Sequence, residues 1–407
     1  MLTVLRNPRY RNLFGAQVIA LLGTGLLTVA LGLLAYDIAG TSAGAVLGTA
    51  LTIKMVAYVG VAPVVAALVN RLPKKAVLVG ADLIRLAIAL LLPFLTEVWQ
   101  IYVLVFVLQS ASATFTPAFQ SLIPVILPDE QDYTRALSLS RLAYDLEALA
   151  SPLLAAALLT LIEFPLLFVG TAIGFAGSAL LVLVTSLPAP PAAEQQGSLW
   201  HRTLLGATIF ASRPSLRFLL AINLVVGATT ALVLVNTVVY TLGSFGRDNS
   251  QVALALACYG AGSLIVALNV PRMVDRLGDR RLMLVGAGLS TLGLVATIGM
   301  TVVAEGGWLG AWWLLLGLWI IIGAGNSMMS TPSSRLLARE SDDTNRSYVY
   351  AAQFSLSHAC FLLTYPIAGW LGAISLTLAA SVLAGLAVGA AVVASRGWRT
   401  AVVAQAA

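Results

Sequence analysis

Residues 13–35 read LFGAQVIALLGTGLLTVALGLLA, and no charge interrupts them. A helix rises 1.5 Å per residue, so about 20 such residues cross the roughly 30 Å of hydrocarbon in a bilayer. The stretch before it, MLTVLRNPRYRN, is basic and carries no small-residue cleavage site after a short apolar core. We read it as a retained lead into a first membrane helix, not a signal peptide. The pattern recurs, and we place spans at 12–37, 43–69, 76–96, 99–121, 136–160, 165–187, 216–243, 252–271, 282–304, 308–330, 347–370 and 374–395. Strand-like alternation is absent, which argues against an outer-membrane barrel.

Composition agrees. Of 407 residues, 59% are hydrophobic and 10% charged, and the mean hydropathy is +0.94. A soluble domain carries about 25% charged residues. The net charge of +6 would suit a nucleic-acid binder, but its placement points elsewhere. Of 23 Lys and Arg, Lys54, Arg85 and Arg141 fall well inside spans and Arg247 alone in an outer loop, which leaves 19 at one side of the membrane. By the positive-inside bias that side is the cytosol, and both termini lie there. Trp99, Trp308, Trp312 and Trp370 then fall near the outer interface, where indoles prefer to sit. Cys258 and Cys360 lie inside apolar runs and imply no disulfide framework.

The longest connection, 188–215, opens with the linker LPAPPAAEQQGS and continues into a stretch with Leu204, Ile209 and Phe210 on an apolar stripe. It reads as an interfacial helix on the cytosolic leaflet. It divides the chain into 1–187 and 216–407. These halves repeat each other. Thr116–Pro117 returns as Thr331–Pro332. Charged turns follow each pair, PDEQDYTR and ARESDDTNR, and then helices with Pro152 and Pro366 near their ends. VNRLPKK at 69–75 has a partner, VDRLGDRR, at 274–281. The expected fold is all-α, with twelve transmembrane helices in two pseudo-symmetric six-helix bundles.

The segment from Ala66 to Lys75, AALVNRLPKK, resembles the G-x-L-x-D-R-x-G-R-[RK] loop of the major facilitator superfamily. Asn70 stands where that loop has its acid, while Asp275 and Arg276 of the second copy keep the Asp-Arg pair. The resemblance implies a cytosolic latch, so Asn70, Arg71, Asp82, Arg85, Asp275 and Arg276 are gating candidates. RNPRYRNLFGAQVIALLG, FTPAFQSLIPVILPDEQDYTRALSLSRL and the segment Gly206 to Leu220 are similar to the exporter branch with macrolide, siderophore and nickel efflux proteins. The fifth span carries Glu147-Ala-Leu-Ala-Ser151-Pro152-Leu-Leu-Ala155-Ala156. It resembles the antiporter pattern G-x-x-x-G-P-x-x-G-G, with a glutamate first and small residues replacing later glycines, and so implies export. Small side chains let helices approach closely, and proline permits a bend.

Charges inside the bilayer cost roughly 2.5–3.5 kcal/mol each on insertion scales and mark function by default. Lys54 reads as a proton-titrating or substrate-repelling group, or as a structural partner of a carboxylate. Arg141 and Asp145 share a helix face and can form a static pair. Glu147 lies deeper, with no cation four residues away, and is the stronger proton-carrier candidate. Asp82 and Arg85 can pair as part of the latch. His358 titrates near neutral pH. With Cys360, Met328 and Met329 it would also suit a soft metal, yet His358 and Cys360 are about 200° apart on a helix. Proton coupling is therefore expected at Glu147, Asp145, Lys54 and His358, with Lys54 and His358 near each other between the halves or, alternatively, Lys54 paired to Asp145 or Glu147. By resemblance, spans 1, 4, 7 and 10 line the cavity, which makes Gln17, Gln109, Asn223, Asn236 and Asn326 substrate-binding candidates. Interhelical bonding is the other reading of each.

No Walker motif, nucleophile elbow or metal triad is present, so an enzyme is not expected. The expected function is proton-coupled export of drug-like or siderophore-like small molecules by a monomer in a bacterial inner membrane, without cofactor or resident metal. Export of a divalent metal (nickel, cobalt or iron) and a non-transporting sensor or partner are the alternatives.

Overall fold

A computed structural model describes residues 2–61, 72–187, 208–305, 310–340 and 346–397. Asn70, Arg71, Trp308 and most of the expected interfacial helix lie outside them. So do the side chains of Arg141 and Asp145. The long helices are α1 (Pro8–Ala39), α2 (Ala43–Val56), α3 (Lys74–Leu91), α4 (Val98–Ile126), α5 (Glu130–Leu158), α6 (Pro165–Val184), α7 (Pro214–Val238), α8 (Asn249–Leu277), α9 (Asp279–Glu305), α10 (Ala311–Arg339), α11 (Arg346–Pro366) and α12 (Leu376–Gly397). One π turn each follows α2, α7 and α11, at Ala57–Val61, Val239–Ser244 and Ile367–Leu371.

Local chemistry sets the boundaries. α6 and α7 start on prolines, whose missing N–H costs nothing in a first turn. The Asp129 side chain caps α5 by accepting from the Asp132 N–H. Asp248 and Gln251 form a capping box on α8, which ends at Gly278 with φ of 75°. Among the described residues nine stretches are long and apolar enough to cross a membrane. Pro8–Gly60 takes in α1 and α2, and Asn249–Ala304 takes in α8 and α9. α5 is not among the nine, because its charges lower its hydropathy.

The chain forms two compact units. The first comprises 1–39 and 53–195, the second 40–52 and 196–407. In the first, α1 packs on α5 and α6, α3 on α4 and α6, and the π turn after α2 on α4. In the second, α7 packs on α11 and α12, α9 on α10 and α12, and α8 on α10. Shifted by six helices, these pairings are the same.

Close approach depends on glycine where backbones touch. In the second unit Gly262 and Gly323 bring α8 and α10 together. A Cβ on Gly262 would run into the Ile320 carbonyl, and one on Gly323 into the Tyr259 carbonyl. Gly48, in the part of α2 that belongs to the second unit, would place a Cβ 2.7 Å from the Tyr365 carbonyl and 2.8 Å from the Gly369 Cα. Trp370 Nε1 donates to Thr49 Oγ1 across the same seam at 3.0 Å. Trp312 is buried, with the Arg247 guanidinium 5.6 Å above its ring.

Candidate functional site

Glu147 and Ser151 stand one turn apart on α5, just before Pro152, and both face Gly25 of α1. A Cβ on Gly25 would sit 2.6 Å from Glu147 Oε1 and nearer still to Ser151. Only glycine leaves that socket open. Ser151 is wholly buried, and its hydroxyl has no hydrogen-bond partner. Lys54 of α2 is the electrostatic partner of Glu147, with its Nζ 6.0 Å from the Tyr58 ring. Lys54 and Glu147 belong to the same unit and make no direct ion pair. Tyr144, one turn before Glu147, shares a cavity wall with Gln17 and Thr116 and lies in the field of both Glu147 and Arg85.

Asp82 and Arg85 of α3 are both buried and bonded directly to each other. Ser178 of α6 donates to Asp82 Oδ2 at 2.7 Å. The guanidinium lies between two rings, 4.4 Å from Phe115 and 4.6 Å from Phe175. A buried charge survives where partners and hydrogen bonds replace its water. This pair ties α3 to α6 and stacks on α4.

Beside Tyr144 lies a cavity of about 210 Å³, lined by Gln17, Phe115, Thr116, Phe119, Gln120, Ile123, Ser140 and Tyr144. Ser140 donates to Gln17 Oε1 at 2.9 Å. The lining is amide, hydroxyl and phenyl, without charge. Of these residues sequence reasoning singled out Gln17 for binding. The others were not chosen for binding, and their convergence is what distinguishes them. Gln109, on the same helix α4, is buried but does not line this cavity.

The second unit's interior is held by neutral groups. Asn326 of α10 donates to Thr230 at 3.0 Å and Tyr259 at 2.9 Å, and accepts from Thr229 at 2.9 Å and Ser290 at 3.3 Å. Two donors and two acceptor positions are thus all used, and the amide joins α7, α8, α9 and α10. Asn223 and Gln353 exchange reciprocal bonds of 3.1 and 3.3 Å between α7 and α11. Asn236 donates to the Ala368 carbonyl at 3.1 Å, while its Oδ1 faces Gly44 and Gly372 without a donor. His358 turns Nδ1 back to the Phe354 carbonyl at 2.7 Å. Cys360 instead meets Gly227 of α7. The two side chains point to different neighbours, and no cluster of three His, Cys, Asp or Glu suited to a metal occurs among the described residues.

Where α8 meets α9, Asp275 and Arg276 are exposed. Their neighbour Asp279 is buried and pairs with Arg339 at 2.8 Å and Arg335 at 3.7 Å of α10. Sequence reasoning quoted Asp279 but did not choose it. Its signal was its place in the first turn of α9, where an acid meets the positive helix end. Arg213 pairs with Glu340 at 3.7 Å.

A profile of the Major Facilitator Superfamily matches residues 13–246 and 218–402. Macrolide efflux protein A of Streptococcus pyogenes is 24% identical over 185 residues, 44% of this chain and 45% of that protein. Its namesake from Enterococcus faecalis is 27% identical over 136 residues, 32% of this chain and 42% of that protein. The matched segments thus span less than half the length of these relatives. Among solved structures, the nucleoside transporter NupG superposes with a TM-score of 0.69 at 16% identity, covering 96% of this chain and 99% of that one. A POT family transporter in complex with 5-aminolevulinic acid gives 0.73 at 12% identity, with 94% of each chain covered. A D-xylose-proton symporter gives 0.69 at 12% identity, covering 96% and 98%. These likenesses establish the fold, and the profile covers nearly the whole chain. The chain belongs to the Major Facilitator Superfamily.

Proposed function

We propose that this transporter is a proton-coupled exporter of small molecules that works by alternating access. The observation that carries the reading is the Gly25 socket, which holds the Glu147 carboxylate inside an apolar helix pair in the field of Lys54. An acid so placed is expensive unless it is used, and proton relays are its usual use. Relatives named macrolide efflux protein A support the direction of transport, and drug-like or siderophore-like compounds are the substrate class. Twelve spans in two six-helix halves, 1–187 and 216–407 joined by 188–215, lie in a bacterial inner membrane with both termini cytosolic. The working unit is a monomer. The uncharged cavity beside Gln17 offers a place for substrate next to the proton site.

Glu147→Gln tests this in inverted vesicles with an imposed proton gradient. The probe is the compound wild type moves, from radiolabelled macrolides, siderophores and divalent cations. We expect gradient-driven movement to vanish while circular dichroism stays helical. Uphill transport by the variant with normal pH dependence overturns the assignment.

A further inference from the structure

The socket holds a second polar group that proton carriage by Glu147 does not by itself use. Ser151 is 0% exposed, and its Oγ is unpartnered and converges with Glu147 Oε1 on the space beside Gly25. In the second unit the corresponding hydroxyl, Thr364, donates to the Gly227 carbonyl at 3.0 Å. Ser151 makes no such bond. The groups facing Glu147 can be named helix by helix. α1 presents Gly25, α2 presents Lys54, and α5 itself presents Tyr144. Tyr144 lies on the wall of the cavity with Gln17 and Thr116. Arg85 of α3 is held by Asp82. Arg141 and Asp145, also on α5, are outside the described side chains.

An ionised carboxylate only accepts hydrogen bonds, whereas a protonated one carries an O–H that must donate. In a dry interior an unmade bond costs more than a made one gains. Lys54 suits the ionised form, but an ammonium is donor-only and cannot receive that O–H. Ser151 carries a hydroxyl with no other partner; it can donate to the ionised carboxylate as well, but Lys54 already serves that state with donors, so the neutral state depends on the hydroxyl more. We propose that Ser151 is a positioning residue for the protonated state: its Oγ receives the hydrogen bond of the neutral Glu147 carboxyl, which turns toward Lys54 when ionised. The bare Gly25 backbone is what lets both side chains sit there. This inference rests on Glu147 as the proton carrier.

Infrared difference spectroscopy of the full-length protein in liposomes tests it without a transported ligand. The protonated carboxyl stretch that Glu147→Gln removes is followed against pH. In Ser151→Ala the band should appear about one pH unit further into acid, the size of one hydrogen bond. Ser151→Thr should restore the wild-type midpoint, since the matching socket already accommodates a threonine. Ser151→Cys, a similar volume with a weaker acceptor, should move the midpoint in the alanine direction, and it stands in if the alanine variant does not fold. A midpoint unchanged in both variants, with the band still lost in Glu147→Gln, overturns the role of Ser151 alone. A band that survives in Glu147→Gln overturns the proton-carrier reading and this inference with it.

Discussion

Two sockets in this molecule are built alike and filled differently. In the first unit Glu147 and Ser151 press on Gly25. In the second, Cys360 and Thr364 press on Gly227, where a Cβ would meet both at 3.4 Å. Adding 213 to the first pair of residue numbers gives the second pair. α5 packs on α1 as α11 packs on α7. What changes is charge. The first unit keeps Glu147, Lys54, Asp82 and Arg85 in its interior, while the Asn326 hub of the second uses neutral amides and hydroxyls, every bond made. A neutral, saturated network holds helices in one arrangement. A loosely paired carboxylate can change state. The comparison teaches that two repeats with the same helix packing can carry different charge at the same close contact.

The largest expected effect on stability tests whether all charge in the first unit is functional. Asp82→Ala strands a buried guanidinium and should cost about 3–5 kcal/mol, read as a lost thermal transition in detergent. The double variant Asp82→Ala/Arg85→Leu should recover much of it. If the double variant is as unstable as the single one, the pair is more than structural glue. Next in size, Asn326→Ala leaves several groups of the hub unpaired and should cost about 2–3 kcal/mol. The pH profile of transport should not move, and a moved profile would place proton chemistry in the second unit too. The smallest effect is expected at Cys360→Ala. It removes one weakly bonding sulfur from the neutral socket, should cost about 1 kcal/mol or less, and should leave the transport rate of wild type. Loss of coupling there would break the asymmetry.

Most of the fold could be read directly. Long apolar runs predicted most of the long helices, because hydrocarbon thickness sets a length that shows in composition; α5, with its charges, is the exception. The recurrence of Thr–Pro pairs and of Pro152 and Pro366 foretold the shared packing pattern. Site residues were less legible. Glu147 and Lys54 stood out because charge is rare in such runs. Ser151 was quoted for its size, yet its isolated hydroxyl depends on what α1 lacks opposite it. Asn326 looked like Gln17, a single amide in an apolar helix. In space one lines a cavity and the other is saturated.

By itself the sequence determined membrane residence, most of the long helices and the charges at Lys54, Asp82, Arg85 and Glu147, since each follows from local composition and the cost of polar groups in hydrocarbon. Only the tertiary structure decided which charges meet. Lys54 comes within the field of Glu147, Asp279 rather than Asp275 captures the arginines of α10, and Gly25 is where Glu147 and Ser151 converge. Those outcomes hang on helix rotation and on approaches of a few ångströms, which distant side chains set jointly and no local stretch encodes.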